Sequence, residues 1–136
     1  MEICLNLNTR KANRVLNKIY DRHLQPCGLK GGQFSVLRIL YKYKQSTNSE
    51  LQDIMAIDQT TLSRNLKPLI RDGYIDVTHG EDQRVRLLTL SASGRRLYKR
   101  ANGLWQDAQK EVKSRLGTKN SEQLVSITQA VADLAS

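Results

Sequence analysis

The chain has 136 residues, 39% apolar and 26% charged, which is the composition of one folded domain and not of a disordered segment. Twenty-two Lys and Arg against 13 Asp and Glu leave a net charge of +9, and a small domain this basic meets nucleic acid more often than an anionic membrane surface. No apolar run approaches the roughly 18 residues that cross a bilayer. Met1-Glu2-Ile3-Cys4 lacks the pattern of a secretory signal, and two cysteines make no disulfide framework, so a reducing cytoplasm is the expected compartment.

Ala12, Val15, Leu16, Ile19 and Tyr20 recur at helical spacing and predict an amphipathic helix over roughly 4–24, stopped by Pro26-Cys27-Gly28. Phe34, Leu37, Leu40 and Tyr41 repeat the period over about 32–44. Thr47-Asn48-Ser49-Glu50 reads as a capping box before a short helix carrying Leu51, Ile54 and Met55. After the tight connection Ala56-Ile57, Asp58 reads as the N-cap of a helix over about 59–72 with Leu62, Leu66, Leu69 and Ile70 on its inner face. Pro68 lies inside that helix, where it removes one backbone donor, so a kink or a freed carbonyl is expected.

The period then changes. Tyr74 to Thr78 alternates and reads as a strand, His79 to Gln83 as a polar turn, and Val85 to Leu90 as the returning strand, although Leu87-Leu88 blurs the alternation. Ser91 caps a long helix with Leu97, Ala101, Leu104, Ala108, Val112 and Leu116, stopped by Gly117. A last helix carries Leu124, Ile127, Val131 and Leu134. The fold class is therefore mostly α with a small β hairpin. Residues 32–90 form a winged helix-turn-helix by pattern, flanked by helices over 1–24 and 92–136.

The charge is uneven. Residues 1–45 carry nine basic and two acidic groups, residues 58–100 nine and five, and residues 101–136 four of each. With Leu66 turned inward, Thr60, Thr61, Arg64, Lys67 and Arg71 share the outer face of the helix over 59–72. Hydroxyls followed by successive cations suit a helix in a major groove, where Arg forks onto guanine and Lys neutralises phosphate. An ordinary solvated face has the same composition. At the hairpin tip Arg84, with Arg86 behind it, suits a minor groove, and Asp82 is spaced to hold the Arg84 guanidinium; a surface ion pair of little consequence reads the same way.

The first and last two helices carry apolar stripes that the winged core is too small to cover. A second copy of the chain is the expected cover, with Val15, Ile19, Leu124, Ile127, Val131 and Leu134 at the contact. His23 and His79 are isolated, no Cys and His spacing resembles a metal site, and no nucleophile–base pair or phosphate loop is legible. No metal, cofactor or catalysis is therefore expected. Cys4 and Cys27 read as reduced thiols unless exposed and activated.

Taken in order, Gln33-Phe34-Ser35-Val36-Leu37-Arg38, Thr47-Asn48-Ser49-Glu50-Leu51, Ile57 to Arg64, Gly73-Tyr74-Ile75, Asp82-Gln83-Arg84 and Leu90 to Gly94 resemble the MarR family of bacterial transcriptional regulators over nearly the whole chain. The resemblance implies a single domain over 1–136 that assembles as a homodimer through its first and last two helices. It implies binding of a palindromic operator in double-stranded DNA, usually as a repressor, with release by a small phenolic or aromatic effector or by cysteine oxidation. Carried onto this sequence, recognition falls on Thr60, Thr61, Ser63, Arg64 and Lys67, and the wing role on Arg84 held by Asp82. Gly31-Gly32 replaces the hydroxyl residue that often caps the second helix, so a weaker cap is expected. The family's sensing cysteine aligns near Asn6, about 200° around the helix from Cys4. The competing readings are a winged-helix protein-interaction module, a cysteine-based redox-sensing regulator and, least supported, a small hydrolase or redox enzyme.

Overall fold

A computed structural model describes residues 1–135. In chain order it contains α1 (Leu5–Leu24), a single 3-10 turn (Gln25–Cys27), α2 (Gly31–Tyr43), β1 (Gln45–Thr47), α3 (Asn48–Met55), α4 (Gln59–Arg71), β2 (Ile75–His79), β3 (Arg86–Leu90), α5 (Ala92–Leu116) and α6 (Thr118–Ala132). A second 3-10 turn covers Asp133–Ala135. The expected order of helices and hairpin is present, with boundaries shifted by a residue or two.

One element was not expected. The hairpin is part of a three-stranded antiparallel sheet in the order β1-β3-β2. Ser46 faces Leu88 from one side and Val77 faces it from the other. This explains the blurred pattern at Leu87-Leu88: β3 is the central strand, with Leu88 fully buried and Leu87 half-buried. Three polar residues, Gln45-Ser46-Thr47, carry no strand signal of their own and become a strand by pairing.

The core gathers Phe34, Val36, Leu37 and Leu40 of α2 with Leu51 of α3, Leu62, Leu66 and Leu69 of α4, Ile75 and Leu88 of the sheet and Leu97 of α5. Helical spacing selects these residues because only one face of each helix meets its neighbours. Phe34 stacks on Tyr98 at 5.8 Å and on Trp105 at 6.0 Å, which fastens α2 to α5. Arg38 lies 4.2 Å from the centre of the Trp105 ring.

The start of α2 corrects the expectation of a weak cap. The Gly31 amide donates to Asp21 Oδ1 of α1 at 2.8 Å, and the Lys30 amide donates to Gln33 Oε1 at 3.0 Å. A carboxylate from a neighbouring helix does the work of the missing hydroxyl. The capping box at α3 also differs in detail. Thr47 Oγ1 accepts the Glu50 amide at 3.1 Å, but the Glu50 carboxylate accepts from the Thr47 hydroxyl, while the Thr47 backbone is the end of β1. The helix α4 runs through Pro68 to Arg71 without a break.

The stripe on α5 also differs from expectation. Leu97, Ala101, Ala108 and Val112 are buried within the chain, where α1 and α2 cover them. The stripes left open are those of α1 as far as Val15 and of α6 with the turn that follows it. Val15 is 58% exposed, Ile127 62%, Val131 54% and Leu134 82%, while Ile19 and Leu124 are half-buried.

Candidate nucleic-acid interface

The turn between α3 and α4 is tight. Ala56 closes α3 in the left-handed region at φ +52°, the Ile57 amide donates to the Gln52 carbonyl at 3.1 Å, and Gln52 Nε2 donates to Gln59 Oε1 at 2.8 Å across the two helices. Asp58 Oδ1 accepts the Thr61 amide at 2.7 Å, and that hydrogen bond holds its carboxyl below the usual carboxylate range. With Leu62, Leu66 and Leu69 buried, the opposite face of α4 presents Thr60, Ser63, Arg64 and Lys67 to solvent, and Thr61 is half-buried beside its cap. Arg71 shares the face but is engaged: Nε and Nη2 bond the two Asp72 oxygens at 3.0 and 3.2 Å.

The wing tip is closed by backbone bonds from the Gly80 amide to the Val85 carbonyl at 3.0 Å and from the Val85 amide to the Asp82 carbonyl at 2.9 Å. Asp82 grips Arg84 at three points. Oδ1 accepts the Arg84 amide at 3.0 Å and Nε at 3.1 Å, and Oδ2 accepts Nη2 at 3.0 Å. The bond to the guanidinium, and next the backbone amide, hold the Asp82 carboxyl below its ordinary range. Although so held, the Arg84 side chain is 90% exposed. The bidentate pair anticipated from the Asp82-Gln83-Arg84 spacing is therefore present, and the amide contact adds a turn lock that the spacing did not signal.

Between α4 and the wing lie two clefts. One, of about 380 Å³, runs between Asn48, Ser63, Lys67 and Arg86. The other, of about 510 Å³, is bordered by Thr47, Asn48, Ser49, Gln59, Arg84 and Arg86. The Lys67 and Arg86 side chains make no hydrogen bond or ion pair among the described residues. The cations Lys67, Arg71, Arg84 and Arg86 thus border a pair of grooves, and Arg64 lies exposed on α4 beside them in sequence.

Elsewhere, Glu111 of α5 takes Arg22 Nη2 at 2.7 and 2.8 Å, His23 Nε2 at 2.9 Å and Arg115 Nη1 at 3.1 Å, which ties α1 to α5. A hollow of about 380 Å³ between α1, α2 and α5 is lined by Asn17, Tyr20, Leu24, Phe34, Ser35 and Trp105. The Tyr20 hydroxyl donates to Gln109 Oε1. Cys4 caps α1 by accepting the Leu7 amide at 3.4 Å, and Cys27 Sγ accepts Arg100 Nε at 3.4 Å. Among the described residues no His, Cys, Asp and Glu group could hold a metal ion, and no helix is long and apolar enough to cross a membrane.

A helix-turn-helix followed by a β wing, with cations on both, defines the winged-helix class of DNA-binding transcriptional regulators. The model of the MarR family matches residues 29–85. MosR of M. tuberculosis, solved in complex with DNA, is similar over 97% of this chain and 98% of that one, with a TM-score of 0.82 and 36% identity. The chain belongs to the MarR family, whose members are transcriptional regulators and not enzymes. The HTH-type transcriptional regulator YwoH of Bacillus subtilis (strain 168) is 29% identical over 89 residues, 65% of this chain and 65% of the relative, so the chain matches just under two thirds of that relative's length. A mutant MarR from E. coli complexed with operator DNA shares the fold at a TM-score of 0.83, with 22% identity over 93% of this chain and 92% of that one.

Proposed function

We propose that this chain is a sequence-specific regulator that binds a palindromic operator in double-stranded DNA as a homodimer and represses transcription in the cytoplasm. The observation that carries the reading is the pairing of an exposed α4 face, Thr60, Ser63, Arg64 and Lys67, with a wing cation aimed by Asp82. Residues 32–90 are the DNA-binding unit. On α4, Arg64 reads a base edge and Lys67 neutralises phosphate, with Thr60, Thr61 and Ser63 contributing hydroxyls; Arg71, which is bonded to Asp72, contacts the DNA from the end of the same face. On the wing, Arg84 enters the minor groove with Arg86 behind it.

Residues 1–24 and 92–136 form the dimerisation helices in this reading. Support comes from the open apolar faces at Val15, Ile127, Val131 and Leu134, continued at the half-buried Ile19 and Leu124. Release by a small aromatic or phenolic effector is supported by the hollow between α1, α2 and α5, which borders both the recognition unit and the dimerisation helices and is lined by Tyr20, Phe34 and Trp105.

Selection of bound duplexes from a random pool tests the reading, since it returns the operator and its symmetry together. Arg64→Ala is then expected to lose the preference for that operator over random duplex by about tenfold or more, the worth of a bidentate guanine contact. Lys67→Ala is expected to weaken both duplexes alike. Parental binding of both duplexes by both variants would remove α4 from the groove.

A further inference from the structure

We propose that Asn48 is a positioning residue of this interface: its side-chain carbonyl takes an N–H of Arg86 in the DNA complex and fixes the wing against α4. The inference rests on the DNA-binding reading above and assigns a role to a residue outside the recognition helix and the wing tip.

Three observations lead to it. Asn48 opens α3, but the capping of that helix is performed by Thr47, which accepts the Glu50 amide, so the Asn48 side chain is not used by the helix end. Its Oδ1 is buried and has no hydrogen-bond partner, which is true of no other side-chain oxygen or nitrogen among the described residues. A native buried acceptor left without a donor carries the desolvation cost of its carbonyl uncompensated, and such atoms mark places where a partner arrives later. Finally, Asn48 borders both clefts between α4 and the wing, and the one other residue bordering both is Arg86.

Arg86 has what Asn48 lacks. Its guanidinium carries five N–H donors and makes no hydrogen bond or ion pair among the described residues. It is the first residue of β3, opposite His79 at the base of the wing tip. The other cationic donors along these clefts are less suited: Lys67 lies on the outer face of α4, Arg71 is bonded to Asp72, and Arg84 is bonded to Asp82. In the free protein Arg86 is exposed and water satisfies its donors. Once DNA covers the clefts that water leaves, and an N–H to the Asn48 carbonyl gains strength as the local dielectric falls. One edge of the guanidinium then serves Asn48 while the other remains free for a phosphate. The pair would set the separation of wing and recognition helix, and with it the offset between minor-groove and major-groove contacts.

The test is a double-mutant cycle on the selected operator with Asn48→Ala, Arg86→Ala and the double variant, together with thermal melts of each free protein. Asn48→Ala is expected to weaken operator binding about tenfold, and the double variant to bind no worse than Arg86→Ala. The free Asn48→Ala protein is expected to melt at or above the parental temperature, because an unsatisfied acceptor has been removed. Additive losses in the cycle, or parental affinity in Asn48→Ala, would overturn the assignment. Asn48→Asp guards against misfolding, since a carboxylate at the first helical position suits α3 and still accepts from Arg86. It is expected to stay within about threefold of the parent, an advantage lost in the Arg86→Ala background. A fall to the level of Asn48→Ala would count against the pairing. Operator preference measured in the parent and in Arg64→Ala separates the two readings. No preference in the parent defeats DNA recognition altogether, whereas normal preference with an additive cycle defeats only the role of Asn48.

Discussion

Ser91 donates its hydroxyl to the Gly73 carbonyl at 2.6 Å, which joins the N-cap of α5 to the turn that follows α4. The same oxygen accepts the Gly94 amide at 3.0 Å, and the Ser91 amide donates to the Tyr74 carbonyl at 3.1 Å. Ser93 adds a second hydroxyl on the Gly73 carbonyl at 3.2 Å. The turn after α4 is thus held by the start of α5.

Gly94 makes this joint possible, and its replacement gives the first prediction. A Cβ there would lie 2.0 Å from the Tyr74 carbonyl oxygen, a backbone atom held in place on both sides. Gly94→Ala is expected to cost at least the 1–3 kcal/mol typical of overpacking, lowering the melting temperature by roughly 5–10 °C or preventing folding. Gly103 lies on the same helix, exposed, with nothing within 4 Å of an added Cβ. Gly103→Ala is therefore expected to raise stability by about 0.5–1 kcal/mol through helix propensity. A Gly94→Ala protein that melts at or above the parental temperature would show that the α5–Tyr74 contact does not constrain the fold.

Glu111 predicts a pH dependence. Its hydrogen bonds from His23 first, and then Arg22 and Arg115, hold its carboxyl at about 2, below the ordinary 4.5. A group whose pKa is depressed by folding stabilises the fold above its unfolded value, and the contribution is lost as pH falls through the folded value. Glu111→Gln is expected to melt below the parent above about pH 4.5, with the gap closing between pH 4.5 and about 2. A gap that stays constant over that range would mean that Glu111 acts through shape and not charge.

Most of this architecture was legible because amphipathic period, caps and glycine stops agree along the chain. Leu62, Leu66 and Leu69 both announce α4 and bury it. What escaped depends on partners distant in sequence. β1 exists because β3 pairs with it, Asp21 caps α2 from ten residues away, and Asn48 is conspicuous only once its buried Oδ1 is seen to accept no hydrogen bond. Spacing alone leaves the α5 stripe as surface awaiting a second copy, yet α1 and α2 cover most of it, since periodicity identifies an apolar face but not what meets it. On the wing, Asp82-Gln83-Arg84 spacing anticipated the ion pair because the reach is local.

The open faces of α1 and α6 predict the assembly. Ile127, Val131 and Leu134 are exposed over successive turns of the C-terminal segment, and a contiguous apolar face of this kind favours association by about 25 cal/mol per Å² covered. Sedimentation at micromolar concentration is expected to give twice the 15.5 kDa chain mass. Ile127→Asp or Leu134→Asp is expected to weaken dimerisation and, with it, operator affinity, leaving the helical content of the monomer unchanged. A parent that sediments as a monomer at that concentration would refute the dimer, and palindromic binding with it.

The wing separates two electrostatic models. Arg84 projects with 90% of its side chain exposed while Asp82 fixes both its guanidinium and its amide. Each proposed dimer has two wings, so Arg84→Ala removes two cations per complex, and the log–log salt slope of operator binding is expected to shrink by roughly two. The loss is expected to be largest on operators with A·T-rich flanks, where the narrow minor groove concentrates negative potential. Asp82 is the sharper probe because its own charge would lie near phosphate in the proposed complex. Counting charges predicts tighter binding when it is neutralised, whereas orientation predicts weaker binding because Arg84 is released. Asp82→Asn is the suitable variant, since an asparagine oxygen can still accept the Arg84 amide and keep the turn while the bidentate ion pair is lost. The expected result is weaker binding, milder than for Arg84→Ala, at two salt concentrations on one operator. Tighter binding by Asp82→Asn would show that the pair does not aim the arginine and that Asp82 acts on DNA only as a charge.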